Sequence, residues 1–125
     1  MQDRPSYDEL LGAIEGFLDN EIVPNVPGSR GFHARVAANA IRTIRRELKS
    51  QEDDLREEWA GLDTLLGPEP LPDTLAGVRD GLRARTEALC ARIQTGDSIE
   101  SVRQHVRVTV ENKLRVTNPD LLLRR

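Results

Sequence analysis

At 125 residues the chain is long enough for one domain with an ordinary buried core. Apolar residues make up 38% and charged residues 31%, a globular rather than disordered balance, while aromatics reach only 3%, so the interior has to be aliphatic. A net charge of -3 and so few rings argue against nucleic acid as a partner, and the lone Cys90 excludes an internal disulfide.

The punctuation predicts five helices, four main amphipathic ones and a shorter acidic one. The expected architecture is a single all-α domain over 1–125, an antiparallel up-down bundle with 119–125 as a flexible tail. The opening MQDRPSYDE lacks the basic and apolar stretches of a signal peptide, and no uninterrupted aliphatic run is longer than Leu121-Leu122-Leu123. The expectation is a cytoplasmic chain with no membrane span. Ser6 followed by Glu9 reads as a capping box, and Leu10, Leu11, Ile14, Phe17, Leu18 and Ile22 follow at helical spacing. Pro24 ends this first helix, and PNVPGSRG is a stiff loop.

The second helix, GFHARVAANAIRTIRRELK, divides into two faces when wound at about 100° per residue. Phe32, Val36, Ala37, Ala40, Ile41, Ile44 and Leu48 share one half-turn, with His33 near its middle. Arg35, Arg42, Arg45, Arg46 and Lys49 take the opposite arc, and Asn39 lies on the border. That pattern predicts an apolar face turned to the core and a basic face turned outward. A third, acidic helix over 52–66 carries Leu55, Trp59, Leu62 and Leu66; whether it continues the second or kinks near Ser50 is open from spacing alone. GPEPLP breaks the chain, and Asp73 is the expected cap of a fourth helix with Leu75, Val78, Leu82, Leu89 and Ile93 on one side. Gly96 stops it. Asp97 with Glu100 opens the fifth, whose stripe is Ile99, Val102, Val106, Val110 and Leu114. The alternation Val106-x-Val108-x-Val110 is a strand pattern, but the longer capped stripe favours helix and leaves Val108 and Val116 outside.

Charge comes in blocks. Residues 1–21 set Arg4 against six acids, 30–49 set six basic residues against Glu47, 51–63 set six acids against Arg56, and 103–125 return to a basic balance. Adjacent acidic and basic helices that neutralise each other explain the blocks, and so does a dipolar surface that steers a charged partner. Arg35, Asn39, Arg42 and Arg46 form one stripe able to grip phosphates or carboxylates bidentately. A solubilising face paired with the acidic segment that follows it is the competing reading of that stripe. His33 on the apolar face reads as a neutral core histidine, or as an interior polar site shared with Asn39. His105 lies on a different helix, on the flank of its stripe; two distant histidines with no nearby cysteine make no metal centre, and Asp53/Glu57 with Asp54/Glu58 read as a solvated face. Cys90 reads as a small apolar residue at the stripe border. Gly77 and Gly81, spaced as GxxxG, either weaken their helix or admit a close neighbour. No nucleophile elbow, phosphate loop, dinucleotide fingerprint or cofactor motif is present, so neither catalytic residues nor a cofactor are expected.

The blocks QDRPSYDELLGAIEGFL, GFHARVAANAIRTIRREL, ALCARIQTGD and VENKLRVTNP together resemble a family of small bacterial helical proteins of unknown function. The resemblance spans nearly the whole chain, and its most specific part is Phe32-His33-x-Arg35-Val36-Ala37-x-Asn39. The chain departs from the family after Asn118-Pro119, where Asp120-Leu121 stands in place of Arg-Tyr. Members are encoded beside, or fused to, aminoglycoside-phosphotransferase-like kinases, often near acyl-CoA dehydrogenases. The resemblance implies a non-catalytic accessory subunit of such a kinase, acting on a hydroxyacyl-CoA or hydroxy acid in catabolism. It carries over no active-site residue. The alternatives are a small-ligand-binding or enzymatic bundle with a site around His33 and Asn39, and a self-associating helical domain using Val108, Val116 and the Leu121 to Leu123 tail.

Overall fold

A computed structural model describes residues 3–96 and 99–124, and these are helical with no strand. Helix α1 spans Tyr7–Phe17 and runs into a π-helical turn, Leu18–Ile22. Its start is the expected capping box: the Glu9 amide donates to Ser6 Oγ at 3.2 Å, and the Ser6 amide donates to Glu9 Oε2 at 3.4 Å. Gly28, at φ +77°, makes the left-handed turn before α2 that side chains with a Cβ disfavour.

The second and third predicted helices are one. Helix α2 runs unbroken over Ser29–Leu66, 38 residues, or about 57 Å at 1.5 Å per residue. Between Phe32 and Ala60 it contains neither glycine nor proline, so Ser50 has nothing beside it to break the hydrogen-bond ladder. Gly67, at φ +99°, and the prolines after it end the helix. Helix α3 spans Leu75–Gln94, and its cap is Thr74 rather than Asp73: Thr74 Oγ1 accepts the Gly77 amide at 3.0 Å. Gly96, at φ +102°, closes α3. Helix α4 covers Ile99–Thr117, so the valine alternation lies in a helix, as its longer stripe favoured. Its expected cap, Asp97, falls outside the described residues. A last turn, α5, is Asp120–Leu123. Among the described residues no helix is long and apolar enough to cross a membrane.

The chain divides into two compact units, Met1–Lys49 and Ser50–Arg125. In the second unit one apolar cluster joins Trp59 and Leu62 of α2, Val78, Leu82 and Leu89 of α3, and Val102 of α4. Leu62 is wholly buried. Gly81 is the close-approach glycine: a Cβ there would stand 2.7 Å from the Trp59 ring, so the indole lies flat against α3 only because no side chain intervenes. Gly77 does the same for Pro72, with 2.9 Å to its Cβ.

Arg85, also buried, secures the proline-rich connection. Its guanidinium donates to Asp63 Oδ1 at 2.8 Å and to the Gly67 carbonyl at 2.7 Å, and lies 4.8 Å over the Trp59 ring. Trp59 Nε1 in turn donates to the Glu69 carbonyl at 3.0 Å. Nothing in the helical spacing singled out Arg85, because its value comes from carbonyls at the end of a different helix.

In the first unit α1 packs on α2 by charge. Arg45 donates to Asp8 Oδ1 at 2.8 Å and to Glu15 Oε1 at 3.0 Å. Arg42 pairs with Glu15 at 3.2 Å and with Asp19. Small residues accompany these pairs: Ala34 and Ala38 are buried, and the Arg45 guanidinium lies across Gly12. This reverses the face expected to meet the core. Phe32 (59% exposed), Val36 (49%), Ile44 (45%) and Leu48 (49%) lie in solvent. The acidic helix takes the side of α2 that offers arginines, which leaves the aliphatic side uncovered.

Candidate functional site

The arginine stripe is not a row of free groups. Arg42 is committed to Glu15 and Asp19, and it also donates to Asn39 Oδ1. Arg46 donates to Thr43 Oγ1 at 3.3 Å. Arg35 is exposed and makes no ion pair with a described residue. The carboxylates that pair with Arg42 come from α1 and the turn after it, which precede the stripe, rather than from the acidic stretch that follows. Arg45, outside the stripe, carries the strongest pairing: two carboxylates hold its guanidinium protonated and raise its pKa. The same contact holds the Asp8 carboxyl below the ordinary carboxylate range.

His33 and Asn39 form no interior polar site. Both are exposed, and His33 meets the Phe32 ring edge-on at 5.7 Å between centroids. The burial of their face failed for the reason given above. Cys90 is exposed as well.

The structure brings together a different polar set. Between the second half of α2 and α4 lies an open groove of about 370 Å³, lined by Glu57, Glu58, Gln104, His105 and Asn112 over a floor that includes Gly61. Gly61 is what lets α4 come so near, since a Cβ there would fall 2.3 Å from His105 Nδ1. Burial pushes the His105 pKa below its ordinary value; the Glu58 charge opposes that, and Lys113 adds to it. Lys113 Nζ stands 3.8 Å from Glu58 Oε1, and Asn112 Nδ2 donates to Glu57 Oε1 at 3.4 Å. A neutral imidazole in such a groove can accept a hydrogen bond or a proton. Among the described residues no side-chain hydrogen bond orients the ring, so it lacks the third group that positions a catalytic base. Among them, too, no group of three or more His, Cys, Asp or Glu side chains is placed to hold a metal. Helical spacing put His105 on the flank of its stripe; what it did not contain is that Gly61, on another helix, faces it.

The outward side of α4 is the second feature. Ile99 (64% exposed), Val106 (48%) and Val110 (44%) lie in solvent, while Val102 is buried and Val108 and Val116 are half-buried. The helix is thus turned so that Val102, His105, Thr109 and Asn112 face α2, and most of the predicted apolar stripe points away. Arg103 and Arg107 border that stripe, both exposed. Arg103 pairs with Glu100 at 3.2 Å.

A family model described as a domain of unknown function, DUF6285, matches residues 24–121. The chain belongs to that family. No curated protein and no solved structure matches it. The matched span takes in α2, α3 and α4, and therefore both the histidine groove and the outward stripe of α4.

Proposed function

We propose that this chain is a non-catalytic companion subunit that docks on an aminoglycoside-phosphotransferase-like kinase. The observation that carries the reading is the outward face of α4, where Ile99, Val106 and Val110 are exposed beside Arg103 and Arg107. An apolar stripe with a basic border fits a partner groove with an acidic rim: the apolar residues supply affinity, and the arginines supply register and encounter rate. The sequence blocks that resemble kinase-associated bacterial proteins support the choice of partner. On this reading the kinase acts on a hydroxyacyl-CoA or hydroxy acid in catabolism, in the cytoplasm, and this chain supplies no reacting group. Docking through Arg35 and Arg42 is the weaker geometry, because Arg42 already holds α1 in place.

The test is co-expression with the neighbouring kinase. Wild-type chain is expected to co-purify with it and to raise its phosphotransfer rate. Val106→Glu and Arg107→Glu are each expected to abolish both effects while keeping helical content. Wild-type co-purification by both variants overturns the reading.

A second reading, a small-ligand site, is favoured by one observation, the half-buried His105 in the α2–α4 groove. A ligand there would shift the His105 ring resonances in an NMR titration, and His105→Gln would abolish its binding.

A further inference from the structure

We propose that the first unit is a self-association module, in which two copies of the α1–α2 hairpin pair across a two-fold axis as a four-helix bundle. The order of the ion pairs makes α1 and α2 antiparallel: Asp8 pairs with Arg45 and Lys49, Glu15 with Arg45 and Arg42, and Asp19 with Arg42. In an antiparallel pair, the residue one step before each paired residue projects to the same side of both helices, because each step turns by about 100°. Those residues are Tyr7, Ile14 and Leu18 on α1, and Ile41, Ile44 and Leu48 on α2. All six are apolar or aromatic. One continuous face therefore runs beside the ion-pair row.

Four of the six are exposed, and Leu18 and Ile41 are half-buried. Tyr7 is 60% exposed, Ile14 50%, Ile44 45% and Leu48 49%. With Leu10 and the alanines between them, these side chains present roughly 600 Å² per chain, or about 1,200 Å² across a two-fold, which reaches the lower bound of specific interfaces. Two helices cannot bury their own apolar sides, whereas two such hairpins close a bundle.

Charge selects the occupant. The carboxylates and guanidiniums flanking this face are already paired with each other within the chain. A neutral flank meets its own copy without like-charge repulsion, as an isologous contact requires. On the α4 stripe Arg103 is paired with Glu100, but Arg107 makes no ion pair with a described residue, which suits that stripe to a different, acidic partner. The two surfaces share no residue and belong to different units, so substitutions in one test dimerisation and substitutions in the other test kinase docking.

Light scattering coupled to size exclusion tests this. The wild-type chain is expected at about 28 kDa, twice the 14.0 kDa of one chain. Ile14→Glu and Ile44→Glu are each expected to give the single-chain mass with unchanged helical circular dichroism, while Val106→Glu keeps the double mass. Leu48→Lys probes the same face should either variant lose its helical signal. A single-chain mass for wild type at high protein concentration overturns the proposal, and so does a double mass that survives these substitutions. Unfolding of all three variants also counts against it, because a face exposed in the lone chain tolerates charge.

Discussion

On the second half of α2 the stripe Leu55, Trp59, Leu62 and Leu66 is packed into the core with α3 and α4, whereas on its first half Val36, Ile44 and Leu48 stay exposed. The residues are similar in kind and spacing. What differs is how each half acquires its neighbours. The second unit has α3 and α4 to straddle the stripe, and burial decides the packing. The first unit has only α1, whose carboxylates draw it to the arginine side. The lesson is that an amphipathic helix packs on its apolar side only when a partner is free to choose that side. Ion pairing at part-exposed positions also yields a hold that salt and pH reach, and an aliphatic cluster does not.

The contrast is broken most severely in the second unit. Leu62→Ala removes the fully buried side chain at the centre of the cluster and is expected to cost about 2–5 kcal/mol, read from denaturant or thermal unfolding. Arg85→Ala comes next. It leaves the Gly67 carbonyl without its donor, leaves Asp63 with the Glu69 amide alone and uncovers the Trp59 ring, at an expected cost of about 2–3 kcal/mol. Asp63 is part-exposed, so water recovers some of the loss. A cost near zero would make the arginine a bystander.

Gly61→Ala is expected to cost about 1–2 kcal/mol, because the new methyl has to push the His105 ring out of its place. The same ring gives the second unit a pH signature. Burial lowers the His105 pKa in the folded chain, so the unfolded chain binds its proton first as pH falls. This contribution is complete above about pH 6.5 and declines as pH drops from there towards the folded value. His105→Gln should flatten that stretch of the stability profile.

The all-helical class, the capping box at Ser6 and the breaks at Gly67 and Gly96 were legible because each is written in adjacent residues. The aliphatic cluster of the second unit was legible in the stripes of α2 and α3. Arg85, Gly81 and the Gly61–His105 approach were not, because each depends on what another helix brings opposite. The orientation of the first half of α2 was misread for a related reason. Periodicity fixes which residues share a face but is silent on which face gains a neighbour. The acidic bias of α1 held that information: six acids in the first 21 residues, ahead of a helix with five cations on one arc. Given that bias, the arginine stripe reads as the seat of α1, which is how Arg42 is used.

The smallest effect on global stability, and the most selective, is expected at Arg45. Arg45→Met keeps the aliphatic stem over Gly12 and removes the charge that Asp8 and Glu15 share. Amide hydrogen exchange should then quicken along α1 while α3 and α4 keep their protection, because the cluster around Leu62 uses none of these groups. Acid should act in the same way. The Asp8 pKa is lowered in the folded chain by hydrogen bonds from Arg45, so the contact contributes fully above about pH 4 and is lost as pH falls through the depressed value. Added salt should weaken it at neutral pH, and the Arg45→Met chain should respond less to both treatments in α1, keeping only the part that Arg42 and Lys49 supply. Equal loss of protection in both units would mean that the two share a single cooperative transition, and that ion pairs in the first unit support the aliphatic core of the second.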